Sequence, residues 1–115
     1  MNKPGILTAI PKRRYKLGEF TLTVLGDIDS NDGVDYCYIA AVIQGQEPEP
    51  GIYITAEQEG QGPKGEYSMR FIMHTGEEVI GSSDQWGDLD AFVDETLGIV
   101  SRVLSLSDEV PYKMM

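Results

Sequence analysis

The chain is poor in the residues from which reactive sites are built. Its 115 residues include one cysteine, Cys37, one histidine, His74, and one tryptophan, Trp86. A lone cysteine excludes an internal disulfide and fits a reducing, cytoplasmic setting. One histidine and one cysteine fall short of the ligand set of a zinc centre. No Gly-x-Ser-x-Gly run and no Cys–His pattern accompanies His74, and Cys37 lies in the most apolar segment, where a thiol serves as packing. Long apolar runs are also missing. Nothing approaches the roughly 18–20 residues that cross a bilayer, and Pro4, Pro11 and the basic residues break up the run around Ile6–Ile10, so neither a membrane helix nor a signal peptide is expected. No catalytic residue, cofactor or metal site is therefore assigned.

Positive charge is scarce after residue 16. Lys3, Lys12, Arg13, Arg14 and Lys16 precede every acid, and from Leu17 onward the other four of the nine bases face 19 acids, a body charge of −15 within a net charge of −10. Such a body repels nucleic acid and anionic membrane within a Debye length, and it suits a basic protein surface.

What the sequence does hold is one strong helix and a series of strands. From Trp86 to Leu106, the residues Leu89, Phe92, Val93, Thr96, Leu97, Val100, Val103 and Leu104 recur at spacings of three and four. Asp88 is suited to cap the helix, Asp90 adds charge at the same end, and Pro111 stands beyond its close. Its length of roughly 28 Å would cover a small sheet. Upstream, Phe20, Leu22 and Val24 alternate with Thr21 and Thr23, which predicts a first strand over Tyr15 to Leu25 with an interruption at Gly18-Glu19. The acidic run Gly26 to Gly33 reads as a hairpin loop. Val34 to Ile43 is apolar on both faces, with Tyr36, Tyr38, Ala40 and Val42 on one, and therefore central. Gln44 to Gly51 is a connection. Strands follow at Ile52 to Glu57, Tyr67 to His74 and Glu78 to Gly81, the last after a Thr75-Gly76-Glu77 turn, and Glu59 to Glu66 is a mobile connection.

The expected fold is α+β: an antiparallel β-meander of about five strands packed by one long C-terminal α-helix, with residues 1–14 as a basic N-terminal arm and 15–115 as a single domain. One helix cannot cover five strands, so the second sheet face is expected to be solvated or to pack on another copy, as in a homodimer.

Candidate sites follow from charge and aromatics. Asp27, Asp29, Asp32 and Asp35 form an acidic cluster suited to a basic partner. It is not an EF-hand, because Asp32 stands where the loop needs glycine and Tyr38 where it needs glutamate. Gly60-x-Gly62-x-x-Gly65 precedes a strand and contains Pro63, so it is no dinucleotide loop. Lys12, Arg13, Arg14 and Lys16 offer phosphate contacts, and Tyr36 and Tyr53, with Tyr38, Tyr67 and Phe71, offer stacking surfaces for bases. A pocket under the helix would be lined by Met69, Phe71 and Met73.

The run Val79-Ile80-Gly81-Ser82-Ser83-Asp84-Gln85-Trp86, followed by Leu89 and the apolar stripe to Leu104, resembles the last strand and helix of the positive-cofactor-four type coactivators, whose architecture the Whirly proteins share. The resemblance implies a dimeric domain that binds single-stranded DNA on an open sheet face. In those families that face is basic and aromatic, whereas here Glu19, Asp35, Glu57, Glu59 and Glu66 outnumber Lys16, Lys64 and Arg70 in or beside the strands. The leading expectation is accordingly a non-enzymatic, acidic adaptor module that binds a basic protein partner as a homodimer. The alternative is a single-stranded nucleic acid binder that uses the N-terminal arm and the sheet aromatics.

Overall fold

The computed structural model describes residues 3–58, 66–106 and 108–114. Residues 59–65, with the Gly60–Gly65 spacing and Lys64, lie outside the described residues, and so does most of the connection expected to be mobile. The described residues form an antiparallel sheet crossed by one C-terminal helix. The strands are β1 (Ile6–Leu17), β2 (Phe20–Ser30), β3 (Tyr36–Gln44), β4 (Ile52–Gln58), β5 (Tyr67–Met73), β6 (Gly76–Ser83) and β7 (Tyr112–Lys113), and their spatial order is β6-β5-β4-β3-β2-β1-β7. A single 3-10 turn, Asp84–Gly87, leads into α1 (Leu89–Val103). The architecture is α+β with a C-terminal helix, but the sheet has seven strands and not about five.

The two additional strands lie at one side of the sheet. Residues 6–14 of the expected arm belong to β1, which turns through Gly18, at φ +58, and Glu19 into β2. The strand read from Tyr15 to Leu25 is thus the inner part of a hairpin. Its outer part shows no period because the register shifts between Ile6 and Thr8, between Thr8 and Ile10, and between Pro11 and Arg13, and each irregularity reverses the faces. Pro11 is accommodated because, among the described residues, β1 is paired there on its β2 side only. β2 also outruns the loop expected from Gly26, since residues 26–30 stay paired with β1 and Asp27 takes φ +46. β7 is too short to carry a pattern. It pairs Tyr15 with Lys113 and Lys16 with Tyr112, and the Met114 N–H donates to the Arg14 carbonyl at 2.7 Å.

α1 starts as its sequence dictates. The Asp88 carboxylate accepts the Ala91 N–H at 3.0 Å, at the end of the helix where the peptide dipoles favour negative charge. Phe92, Val93, Thr96, Ile99 and Val100 are buried on the sheet, and the Thr96 hydroxyl donates to the Val93 carbonyl. They meet Leu17, Leu22, Val24, Ala40, Val42, Ile54 and Met69, and the Phe92 ring lies 5.5 Å from that of Tyr38. Ile99, and not Val103, completes the buried stripe: Val103 is 48% exposed on the flank facing β6. Ser105, at φ +55, ends the helix, and the Leu106 N–H reaches back to the Ser101 carbonyl.

The second face of the sheet is closed by the chain itself. Tyr36, Ile39, Ala41, Tyr53 and Ile72 form a buried cluster covered by Ile6, Ile28 and Val34, which the ends of β1 and β2 and the following loop bring across it. Ile39 and Ile72 are therefore inaccessible without any second copy. Tyr36 belongs to this face and Tyr38 to the helix face, because a register shift at Cys37 inserts one extra residue between them.

Candidate functional site

The residues singled out for a basic partner are divided among different tasks. Asp32 is held by the fold: its carboxylate accepts the Tyr36 hydroxyl at 2.6 Å, the Gly5 N–H at 2.8 Å and the Val34 N–H at 3.0 Å. What burial it has pushes the carboxyl up, yet these hydrogen bonds outweigh it and hold the group below its ordinary value. Asp27 pairs with Lys12 at 2.6 Å. Asp29 and Asp35 are exposed, while the Asp35 carbonyl accepts from the Gln58 N–H. The acidic cluster is partly neutralised and partly structural.

The residues expected to contact nucleic acid are similarly engaged. The Arg13 Nη1 donates to the Lys12 carbonyl and the Arg14 Nε donates to the Thr23 hydroxyl, while Lys16 is exposed. Tyr36 is 4% exposed and Tyr53 9%, so neither offers a ring face for stacking. Burial, with Asp32 beside it, pushes the Tyr36 phenol well above its usual range. The same hydroxyl accepts from Arg70 Nη2, whose Nε donates to Glu57 Oε2 at 2.7 Å and whose Nη1 donates to Glu77 Oε2 at 2.9 Å. Burial works against the Arg70 charge, but Glu57 and Glu77 outweigh it and hold the guanidinium more firmly protonated. This network organises the second face. Elsewhere, burial pushes the Cys37 thiol up, which keeps it from being a ready nucleophile, and His74 is exposed at the β5–β6 turn.

The concave surface lies on the helix face. Three neighbouring depressions lie there, the first sharing Phe71 and Glu78 with the second and the second sharing Met73 with the third, and we refer to the three together as the trough. The first lies among Phe71, Glu78, Ile80, Ile99, Arg102 and Val103. The second continues past Phe71 and Met73 to Glu77 and Glu78. The third and largest, about 380 Å³, has Phe20, Val42, Ile52, Met73 and Leu104 for its floor and walls, with Gln44, Glu47 and Glu49 at the rim. Of the pocket residues expected under the helix, Met73 and Phe71 line this trough, whereas Met69 is fully buried in the core beside it.

The trough joins an apolar floor to an acidic rim. Glu47, Glu49 and Glu78 border it, with Arg102 in its lining, whereas the Glu77 carboxylate is turned to the second face. Glu77 is already bonded to Arg70, and Glu49 lies 3.9 Å from Lys3 with both side chains largely exposed. Sequence reasoning read Glu47 and Glu49 only as part of a proline-rich connection. The signal that pointed to a trough was the mismatch between one helix and a whole sheet. Comparison with protein families, with curated proteins and with solved structures returns no match for this chain.

Proposed function

We propose that this chain is a non-enzymatic interaction module that takes a basic segment of a partner protein on its helix face. The observation that carries the reading is the trough: apolar side chains line depressions whose rim holds Glu47, Glu49 and Glu78, with Arg102 in the lining and Lys3 beside Glu49. Apolar contact supplies affinity, and the rim selects for lysine and arginine on the occupant and speeds its approach. A body charge of −15 outside the first 16 residues adds long-range attraction of the same sign. The reading moves the partner site away from Asp27 and Asp32, which the fold already uses.

The test is titration of a fluorescein-labelled peptide of leucine, alanine and lysine into the protein and into a Glu47→Gln/Glu49→Gln/Glu78→Gln variant. These are exposed positions, so the variant is expected to fold. Binding should weaken about tenfold in the variant, and added salt should weaken the parent more steeply than the variant, which keeps most of the acidic body charge. Equal affinity for both proteins would remove the rim from recognition and the proposal with it. A labelled single-stranded oligonucleotide should show no binding at about 50 mM salt; binding that survives there would favour the nucleic-acid reading.

A further inference from the structure

The geometry points to the kind of segment the trough takes, an inference that rests on the proposed binding function: we infer that its occupant is an amphipathic helix with lysines or arginines flanking its apolar stripe, laid beside α1 over β5 and β6. Three observations converge on this. The first is width. Among the sheet strands α1 approaches β3 most closely. Strands are spaced about 4.8 Å apart, so β6 lies roughly 14 Å to the side of β3, and a helix covers only about 5 Å on either side of its axis. The 3-10 turn packs on the Tyr67 end of β5. Beyond it a strip about one helix diameter wide is left open beside α1, and Ile80 and Val103 on its two margins are 42% and 48% exposed.

The second observation is the chemistry of the floor. Phe71, Met73, Ile80 and Ile99 present carbon and sulfur to the trough. An extended segment lying there would carry a row of backbone N–H and C=O groups with few partners, at a cost that apolar contact does not readily offset. A helix satisfies its own backbone and needs from the surface only an apolar strip. Strand addition along the edge of β6 is no easy alternative, because a register shift lies between Arg70 and Met69 on β5 and breaks the regular ladder beside Ile80. Bulges and charges at such an edge hinder pairing.

The third observation is charge, which argues against a second copy of α1 as the occupant. That helix carries Asp90, Asp94 and Glu95 and would bring them towards the Glu47, Glu49 and Glu78 rim. A basic helix from another protein reverses the sign of each of these contacts. Its positive N-terminal dipole end is best placed towards Glu47 and Glu49, in the depression that Leu104 lines.

The experiment compares two synthetic peptides of about 15 residues with the same leucine, alanine and lysine composition. One is patterned with helical period and the other with strict alternation, and both are titrated into the full chain by fluorescence anisotropy. The helical peptide should bind at least about tenfold tighter and gain helical circular dichroism on binding. Amide shift changes should centre on Ile80, Ile99 and Val103. Val103→Arg and Ile80→Arg, at exposed positions that tolerate charge, should each weaken it about tenfold, whereas Asp29→Asn should leave affinity unchanged. Equal affinity for the two patterns would overturn the helical occupant while leaving a basic-segment module in place. Binding by neither would remove the module reading itself. Tight binding with shift changes confined to 27–35 would overturn the trough as the site, and concentration-dependent self-association competing with the peptide would make a second copy the occupant.

Discussion

Replacing Arg70 by methionine tests the account of the second sheet face most directly. The guanidinium bonds Glu57 at 2.7 Å, Glu77 at 2.9 Å and the Tyr36 hydroxyl at 3.3 Å, and the side chains of Arg70 and Glu57 are only 19% and 17% exposed. Methionine keeps the aliphatic stem and removes the charge. Glu57 would then keep the Thr55 hydroxyl as its donor in a setting with little water. Breaking a fully buried pair costs about 3–5 kcal/mol. The residual exposure here, and the 36% exposure of the Glu77 side chain, lower that to about 2–3 kcal/mol after allowance for solvent screening. With a urea m-value of about 1.5 kcal/mol/M for a chain of this size, the unfolding midpoint should fall by about 1.3–2 M. The decisive measurement is the double-mutant cycle with Glu57→Gln. If the pair acts as described, Glu57→Gln should cost much less in the Arg70→Met background than alone, with a coupling of about 1–3 kcal/mol. Additive single effects would show that the two groups are neighbours without energetic consequence.

Two further outcomes follow from local geometry. Asp32 sits below its ordinary value in the folded chain, so its contribution is complete above the unfolded carboxyl range and is lost as pH falls through the folded value. Asp32→Asn should therefore be less stable by about 1 kcal/mol at pH 7 and should show a shallower loss of stability below about pH 4, read from urea midpoints across pH; an unchanged acid limb would show that its hydrogen bonds do not favour the charged form. At Gly87 an added Cβ would stand 2.6 Å from Tyr67 Cε2 and 3.0 Å from its Cζ and Oη. Gly87→Ala should then cost about 1–3 kcal/mol in thermal unfolding, and little or nothing in a Tyr67→Ala background, where the ring no longer fills that space.

The features legible in the sequence are those with a local cause. Asp88 announces the start of α1 because capping involves only the next few residues, and Phe92, Val93, Thr96 and Val100 announce its buried side because a helix repeats over short spans. The inner strands showed themselves in the same way, through alternation at Leu22 and Val24 or at Ile52 and Ile54. β1 escaped because three irregularities scramble its faces, and β7 because two residues have no period. The cover of the second face was out of reach for a different reason. Ile6, Ile28 and Val34 meet Ile39 and Ile72 only once the twist and register of five strands are known. Asp32 shows the same dependence: its acidity was visible, but the Gly5 N–H bonded to it comes from the residue just before β1, a strand whose outer part the pattern did not reveal.

The burial of that second face redirects the functional argument. While both faces stood open, a second copy was the simplest cover, and tyrosines on the free face could have stacked on bases. With Tyr36, Tyr53, Ile39 and Ile72 enclosed by the chain's own strands, the exposed apolar side chains that adjoin a depression are Ile80 and Val103 on the flank of α1, while Leu7, Ile10, Val79 and Val110 stand exposed elsewhere. That flank lies within a body whose charge opposes contact between identical molecules, so an open trough is compatible with solubility. The same charge supplies a selection rule. Apolar exposure at Ile80, Val103 and Leu104 would attract any hydrophobic segment, but Glu47, Glu49 and Glu78 raise the cost for an acidic one and lower it for a basic one. On the proposed reading recognition depends on the combination, since neither the carboxylates nor the groove alone distinguishes this surface from an ordinary acidic domain.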